Sequence, residues 1–255
     1  MRRVLVTGAA SGIGAALVAH LRRDGVEVIA TDRRFAATAD TAAVGVVADL
    51  GEADGVAALA AAIDGPLDGL ALVAGLPGTW PARTVLAVNL LAAVALTAAL
   101  ADHFNPGASI VAVSSLTARR CRWTIAEIDR LLDGSRADAL AAVDAIDGRA
   151  AYELSKAVLN RWAVRTAVAL HARRVRVNTV SPGAVETPIL ADFVASMGAD
   201  RIEAARALTG RHGAADEIAA VLAFLLSPDA GWVNGIDLLV DGGFNALRSV
   251  GAAAA

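Results

Sequence analysis

The chain has 255 residues, a formal net charge of −3 and a single cysteine, Cys121. This charge gives no reason to expect nucleic acid or an anionic membrane as a partner, and one cysteine cannot form an internal disulfide. The longest uncharged run, residues 84–101, is shorter than the roughly 20 apolar residues that span a bilayer and is interpreted as a buried helix. The apolar run that ends at Thr7 is too short for a signal-peptide core, so we expect a cytoplasmic protein.

No linker or internal repeat divides the chain, which predicts one domain over residues 1–255. Hydrophobic residues make up 56% of the sequence and aromatic residues only 4%. Such a composition predicts an aliphatic, closely packed core of helices on a sheet. We expect the tail, residues 251–255, to be disordered.

The first predicted unit is a strand at residues 3–7, a glycine loop and a helix at residues 15–23. The loop contains Gly8, Ser11, Gly12, Ile13 and Gly14. Glycine permits a tight turn and close approach of the backbone, and the free amides at the helix start bind a pyrophosphate. A plain turn would need one glycine rather than three, so the loop predicts a dinucleotide site.

The second strand, residues 26–31, ends at Asp32. An acidic side chain there accepts hydrogen bonds from the adenosine ribose and repels a 2′-phosphate, which favours NAD over NADP. Arg33 and Arg34 follow and can reach a 2′-phosphate, but Ser11 in the loop adds no positive charge, so NAD remains the preferred cofactor.

Strands and helices alternate along the rest of the chain. Strands are predicted at residues 44–48, 69–73, 109–113, 174–180 and 236–240, and helices at residues 52–63, 85–101, 149–174, 200–207 and 216–226. This pattern predicts an α/β fold, a Rossmann-type doubly wound parallel sheet of seven strands with helices on both faces. Ligands bind beyond the carboxyl ends of such strands, where the sequence places Asp49, Leu50, Ala74, Gly75 and Ser115.

Residues 116–149 are predicted to form a small helical insertion. Thr124 with Glu127, and Ser135 with Asp138, have the hydroxyl-then-acid spacing of a helix amino terminus. The apolar face of the first helix would consist of Ile125, Ile128 and Leu132. The insertion could cover an edge of the fold, contact substrate or control oligomerisation. We expect the apolar residues 189–197 to form a mobile segment.

The helix at residues 149–174 carries Tyr152 and Lys156, which lie on one face because they are four residues apart. An ammonium near a phenol favours the phenolate and lowers the tyrosine pKa from about 10, so Tyr152 could exchange a proton at working pH. The alternative is an exposed lysine beside a half-buried tyrosine, which is a common pairing on helices.

These motifs occur together in one order. They comprise Thr7, Gly8, Gly12, Gly14, Asp32, Asp49, Ala74, Gly75, Asn89, Ser114, Ser115, Tyr152, Lys156, Asn178, Pro182, Gly183 and Thr187. By this combination the chain resembles the short-chain dehydrogenase/reductase family along nearly its whole length. The resemblance implies an NAD(P)-dependent enzyme that moves a hydride between nicotinamide and a small-molecule alcohol or carbonyl, assembled as a homodimer or homotetramer.

The resemblance also implies a role for each site residue. Tyr152 would be the general acid–base, Lys156 would hold the nicotinamide ribose, and Ser115 would orient the substrate oxygen. Asn89 would hold a water that links the lysine to solvent. The nicotinamide end of the cofactor would contact Pro182, Gly183, Val185 and Thr187.

Two features depart from the family pattern. Leu72 and Val73 stand where the family has two asparagines, which removes a side chain that would brace the strand end, and the interval from Ser115 to Tyr152 is unusually long. The insertion and residues 74–79 and 187–190 resemble the subgroup containing bacterial 3α-hydroxysteroid dehydrogenase/carbonyl reductase and coniferyl alcohol dehydrogenase. We therefore expect an aromatic, coniferyl-type or other bulky apolar alcohol, with 3α-hydroxysteroid dehydrogenase/carbonyl reductase activity as the alternative.

The substrate pocket is predicted to be apolar, because hydrophobic residues lie on loops near the reacting strand ends. Its candidates are Leu76, Pro77, Trp80, Trp123, Ile189, Leu190, Phe193 and Met197, each with ordinary packing as the alternative.

Other classes of protein fit the sequence less well. One cysteine and four scattered histidines offer no metal-ligand cluster, which disfavours a metal-dependent alcohol dehydrogenase. A non-catalytic dinucleotide-binding protein would not need an acid–base pair. Epimerases and dehydratases of the same fold usually carry a larger carboxyl-terminal domain.

Overall fold

The computed structural model describes residues 1–34 and 44–251. Its strands are β1 Arg3–Thr7, β2 Glu27–Asp32, β3 Val44–Val47, β4 Leu67–Leu72, β5 Phe104–Val113, β6 Arg176–Pro182, β7 Val185–Glu186, β8 Gly213–Ala214 and β9 Asp237–Val240. Seven of them form one parallel sheet in the order β3-β2-β1-β4-β5-β6-β9, and β7 pairs with β8. The predicted seven-stranded parallel sheet is confirmed.

Helices cover both faces of this sheet. They are α1 Gly12–Arg23, α2 Ala53–Ala61, α3 Ala82–Leu86, α4 Ala92–Ala99, α5 Ile125–Asp133, α6 Arg136–Ala141, α7 Gly148–Ala169, α8 Leu190–Met197, α9 Ala199–Thr209, α10 Ala215–Leu226 and α11 Phe244–Gly251. A π-helical turn, Ala87–Leu91, joins α3 to α4 in one continuous helix. This helix is long and apolar enough to cross a membrane by composition, but Leu86, Leu90 and Leu96 are fully buried in the core.

The core lies in two layers because alternate residues of a strand face opposite sides of the sheet. In β1, Leu5 packs with α2, α4 and α7, whereas Val4 and Val6 pack with α1 and α10. Each of these three side chains is completely buried. A sheet covered on both faces needs strands that are continuously apolar, which is what the β1 sequence supplies.

The strand order reverses at β1, which lies between β2 and β4. A crevice opens at such a switch point, beyond the carboxyl ends of the strands. The Thr7 hydroxyl accepts hydrogen bonds there from the amides of Val73 at 3.0 Å and Ala74 at 3.1 Å. Thr7 therefore braces the end of β4, where the sequence lacks the family's asparagine side chain.

The insertion contains α5 and α6, each beginning with a reciprocal cap. The Thr124 and Ser135 hydroxyls accept hydrogen bonds from the helix amides, and the acids three residues later accept from the amides of these two residues. The predicted apolar face is partly wrong. Ile125 is the first residue of α5 and is 67% exposed, whereas Ile128 and Leu131 are buried.

Other local expectations are corrected. Residues 190–197 form a helix, α8, on which Phe193 and Met197 lie one turn apart and pack near Tyr152; their mobility stays a prediction. Strand β5 begins at Phe104, five residues earlier than predicted, since the segment with turn residues Pro106 and Gly107 belongs to an irregular start of the strand. Helix α11 and the β7–β8 pair were not predicted. The predicted disordered tail lies, apart from Gly251, outside the described residues.

Candidate active site

Tyr152 and Lys156 lie in the second and third turns of α7. Both side chains are almost fully buried, at 5% and 3% exposure. The Lys156 ammonium donates a hydrogen bond to the carbonyl oxygen of Val113 at 2.7 Å and lies 5.7 Å from the centroid of the Tyr152 ring. The Ser114 hydroxyl donates to the carbonyl oxygen of Lys156 at 3.2 Å, so two bonds attach this part of α7 to the end of β5.

Ser115 follows the last residues of β5 and reaches the tyrosine. Its Oγ accepts hydrogen bonds from the amide of Thr117 at 3.2 Å and from the Thr117 hydroxyl at 3.1 Å. With these acceptor positions filled, the Ser115 hydroxyl is left to donate toward Tyr152, whose pKa it lowers. Sequence reasoning missed Thr117, although a threonine two residues after a serine at a strand end is a common local hydrogen-bonding pattern.

Burial dominates the electrostatics of this pair. It raises the pKa of Tyr152 to about 12, and the hydrogen bond from Ser115 opposes the rise. Burial also lowers the pKa of Lys156 to about 8. The expectation that Lys156 lowers the tyrosine pKa is therefore wrong in this structure, because removal of the phenolate from water outweighs the effect of an ammonium already bonded to the backbone.

Asn89 lies in the π-helical turn, a feature that often occurs at functional sites. Its Oδ1 accepts a hydrogen bond from the Leu76 amide at 2.7 Å, and its Nδ2 donates to the Leu76 carbonyl at 3.0 Å. Nδ2 also approaches the hydroxyl of Ser155, a buried residue that sequence reasoning missed, at 3.4 Å. A Cβ atom on Gly75 would lie 3.4 Å from the Asn89 Oδ1 and 3.6 Å from the Lys156 ammonium, so these groups surround one backbone position.

The glycine loop forms a tight cradle between β1 and α1. Gly8 has a φ of +68°, and a Cβ atom there would lie 2.8 Å from the Cα of Ala74. A Cβ atom on Gly14 would lie 2.0 Å from the carbonyl oxygen of Gly8. Ser11 immediately precedes α1, so the first amides of the helix face outward from this loop. The arrangement fits the pyrophosphate of a dinucleotide.

Asp32 lies at the carboxyl end of β2, next to the glycine loop. Its carboxylate accepts hydrogen bonds from the amides of Ala10 at 3.0 Å and Arg34 at 3.3 Å. The Asp32 carboxylate has further lone pairs, which can accept hydrogen bonds from ribose hydroxyls. The Arg33 guanidinium lies over the ring of Trp80, 5.6 Å from its centroid.

The remaining predicted cofactor residues surround the crevice at different depths. Asp49 accepts a hydrogen bond from the Gly51 amide at 2.9 Å, and Leu50 is buried in the core. Thr187 contacts the glycine loop, since a Cβ atom on Gly12 would lie 3.3 Å from its methyl group. The predicted nicotinamide-end residues Pro182, Gly183, Val185 and Thr187 all line the main cavity, as do the predicted cofactor residues Ile13 and Gly75.

A cavity of about 520 Å³ opens beside Tyr152, Ser115 and Lys156. Five of the eight predicted substrate residues line it: Leu76, Ile189, Leu190, Phe193 and Met197. Phe193 contacts Tyr152 edge to face, with ring centroids 5.3 Å apart.

Pro77, Trp80 and Trp123 do not line this cavity. Pro77 is buried, Trp80 stacks with Arg33, and Trp123 packs against the core layer that contains α7. Proximity in sequence to the reacting strand ends does not determine which way a side chain points, and these three point elsewhere.

No group of three or more histidine, cysteine or acidic side chains that could hold a metal ion occurs within residues 1–34 and 44–251. The site instead combines a dinucleotide cradle with a buried tyrosine, serine and lysine beside an apolar cavity. Together with the fold, these features define a nicotinamide-dependent oxidoreductase of the Rossmann type.

Known proteins confirm this class. A family model described as short chain dehydrogenase matches residues 2–125, and one described as enoyl-(acyl carrier protein) reductase matches residues 137–245. The chain is 35% identical to coniferyl-alcohol dehydrogenase from Pseudomonas sp. (strain HR199 / DSM 7063), over 95% of this chain and 96% of that protein. It is 32% identical to 3-alpha-hydroxysteroid dehydrogenase/carbonyl reductase from Comamonas testosteroni, over 97% and 98% of the two chains. The chain belongs to the short-chain dehydrogenase/reductase family.

Solved structures agree with this assignment. The crystal structure of 3-alpha-hydroxysteroid dehydrogenase from Pseudomonas sp. B-0831 complexed with NADH is 35% identical, with a TM-score of 0.82 over 97% of this chain and 98% of that one. A short chain dehydrogenase from Burkholderia cenocepacia J2315 in complex with NADP is 28% identical, with a TM-score of 0.74 over 96% and 98%. The family and these neighbours support a nicotinamide cofactor. One of the two neighbouring structures contains NADH and the other contains NADP.

Proposed function

We propose that the protein is an NAD-dependent alcohol dehydrogenase that acts on an aromatic, coniferyl-type or other bulky apolar alcohol, or on the corresponding carbonyl. The observation that carries this proposal is the position of Tyr152, Ser115 and Lys156 at the wall of a largely apolar cavity. A cavity of about 520 Å³ lies in the size range of sites that enclose drug-sized molecules. The similarity to coniferyl-alcohol dehydrogenase supports the same substrate class.

In this proposal the nicotinamide, when bound, takes or supplies the hydride. When substrate binds, the Ser115 hydroxyl turns its single proton from Tyr152 to the substrate oxygen, because Thr117 fills its acceptor positions. Loss of a donor of this type typically costs about 2.7–4 kcal/mol in the barrier. Tyr152 exchanges the hydroxyl proton, and Lys156 places a positive charge close to the tyrosine ring.

The preference for NAD rests on Asp32. Its carboxylate would lie close to a 2′-phosphate, and the like charges would repel. Arg33, which could otherwise neutralise such a phosphate, has its guanidinium over the Trp80 ring. Both observations favour NAD, with NADP as the alternative.

A second candidate is 3α-hydroxysteroid dehydrogenase/carbonyl reductase activity. The similarity to 3-alpha-hydroxysteroid dehydrogenase from Pseudomonas sp. B-0831 favours it. A non-catalytic dinucleotide-binding role is disfavoured, since a binding protein has no need of a buried tyrosine and lysine beside an open cavity.

The test is NADH and NADPH absorbance with purified protein, each oxidised cofactor, and coniferyl alcohol, a 3α-hydroxysteroid and simple aliphatic alcohols. We expect NAD-dependent turnover of coniferyl alcohol, which Tyr152→Phe should lower by about 10²–10⁴-fold under the same conditions. Turnover of the steroid alone would select the second candidate. Binding of NAD without turnover of any alcohol would refute the proposed activity.

We also propose that the chain forms a homodimer through the edge formed by β9 and α10, with a homotetramer as the alternative. Trp232 is fully exposed there, and Phe224 and Ile236 are 45% and 41% exposed. The family resemblance implies subunit contacts through the helices before and after β5, and the insertion packs on the second of these, α7, which favours another face. Light scattering should report a dimer for the wild-type protein, and Trp232→Glu should shift the equilibrium toward the monomer. A monomeric wild-type protein would contradict this assembly.

A further inference from the structure

The cavity that contains Tyr152 is lined by three arginines, Arg120, Arg201 and Arg211. Arg120 ends the short helical turn that follows Ser115, and Arg201 lies in the first turn of α9. The rest of that wall is mostly apolar, with Leu190, Phe193 and Ile202 among its residues. The cavity therefore combines an apolar interior with guanidinium groups.

Within residues 1–34 and 44–251, Arg120 and Arg201 differ from Arg211, another residue of this cavity, in lacking a carboxylate partner. Arg211 also lines the cavity, but it pairs with Glu217 at 2.6 Å. Within the part of the chain that the structure describes, neither Arg120 nor Arg201 has a carboxylate within ion-pair distance. Their charges are thus available to a ligand.

The surroundings of Arg120 are strongly positive. Partial desolvation and the charge of Arg201 lower the pKa of Arg120, although its side chain is exposed; Arg149 and Arg248 add to the repulsion, and Glu153 opposes it. Glu153 already pairs with Arg149 at 3.5 Å. Four guanidinium groups and one carboxylate leave a local excess of positive charge on a chain whose net charge is −3. An anion bound at this place would relieve the repulsion.

The cofactor does not account for these charges. Its pyrophosphate belongs to the glycine loop and its adenosine to the end of β2, where Asp32 lies. Arg120 instead follows β5, and Arg201 precedes β8, close to the groups that would handle the substrate. The excess charge therefore belongs to the substrate end of the cavity.

We propose that the substrate is an apolar alcohol or ketone that also carries a carboxylate, which Arg120 and Arg201 bind while its reacting oxygen contacts Tyr152 and Ser115. This inference rests on the proposed function for the alcohol or carbonyl group that reacts. It adds a negatively charged carboxylate to the substrate. A carboxylate fits better than a phosphate, because bringing a dianion against an apolar wall costs more in lost hydration. Guanidinium groups also match the planar carboxylate through paired hydrogen bonds.

The experiment compares acids with their methyl esters, which present the same alcohol without the charge. The probes are 4-(hydroxymethyl)benzoate and the longer 4′-(hydroxymethyl)biphenyl-4-carboxylate, each with its ester and with NAD. We expect kcat/KM to favour at least one acid over its ester by about tenfold or more, and the ratio to fall as NaCl screens the charges. Arg120→Gln combined with Arg201→Gln should bring the ratio close to one.

Arg119→Gln is the matched control, because Arg119 is exposed beside Arg120 and does not line the cavity. This variant should keep the wild-type ratio. Equal kcat/KM values for acid and ester in the wild type, or a ratio that the double variant preserves, would overturn the inference. A strong preference for 4-(hydroxymethyl)phenyl phosphate over both acids would overturn the choice of a carboxylate.

A binding measurement separates this inference from the proposed activity. Calorimetry with the NADH-loaded protein should show tighter binding of the acids than of the esters, and the double variant should lose the difference. Selective acid binding without turnover would refute the proposed activity alone. Turnover of the esters without selective binding of the acids would refute this inference alone.

Discussion

Replacement of Lys156 by methionine should stabilise the protein at neutral pH while it removes the charge from the site. Lys156 is the only lysine of the chain, and burial lowers its pKa from 10.5 to about 8. A base whose folded pKa lies below its unfolded value destabilises the folded state when it is charged in both states. The penalty disappears as pH rises through the interval between the two pKa values, because the folded protein gives up its proton first.

These two pKa values set the magnitude. The penalty is about 3.3 kcal/mol at pH 7 and falls to about 1.4 kcal/mol at pH 9.5. Lys156→Met also removes the hydrogen bond to Val113, which costs about 1–3 kcal/mol at either pH. The free energy of unfolding of the variant relative to wild type should therefore drop by about 2 kcal/mol from pH 7 to pH 9.5.

Urea unfolding of both proteins at the two pH values measures this difference. Arg119→Met, at an exposed position, is the control and should show no such pH dependence. Because the chain has a single lysine, ¹³C labelling of lysine gives one side-chain resonance, whose midpoint should lie near 8. A midpoint near 10.5, or a stability difference that does not change with pH, would refute the reasoning.

Five other substitutions test the site and the insertion. Tyr152→Phe should lower kcat by about 10²–10⁴-fold and leave the Kd for NADH within twofold, measured by NADH fluorescence. Asp32→Ser should raise the NADP-to-NAD ratio of kcat/KM by about tenfold or more, since it removes a like charge. Phe193→Ala should change the relative rates on bulky and small alcohols, whereas Trp123→Ala should not, because only Phe193 lines the cavity. Asp129→Asn should lower the urea midpoint slightly and leave kcat unchanged; a large loss of kcat would show that the insertion shapes the site.

The parts of the fold that depend on local patterns were predictable. The β1 strand, the glycine loop and the position of Asp32 follow from an apolar run, glycine spacing and a strand end. The two helix starts of the insertion follow from Thr124 and Ser135, whose hydroxyls and partner acids make the expected reciprocal hydrogen bonds. Each of these features is determined by residues fewer than ten positions apart.

The wrong predictions concern contacts between residues that are distant in the sequence. The sequence does not show that Trp123 packs against the core or that Trp80 stacks with Arg33, because both contacts arise only in the folded chain. The tyrosine pKa was predicted from its neighbour Lys156, but burial against residues such as Phe193 has the larger effect. The sequence does not indicate that Arg120 and Arg201 line the same cavity, because 81 positions separate them.

The structure shows that the helices of the insertion support α7 rather than line the cavity. Its helices α5 and α6 contribute no residue to the cavity, which receives only the turn at residues 116–120 from this part of the chain. Asp129 instead accepts hydrogen bonds from Arg161 at 2.8 Å and Arg165 at 3.3 Å, on the part of α7 beyond Lys156. The insertion therefore braces α7 beyond Lys156, while Ser114 and Val113 hold the helix at Lys156 itself. Because a buried ammonium tends to draw its helix toward water, these two attachments keep Lys156 in the apolar environment that lowers its pKa.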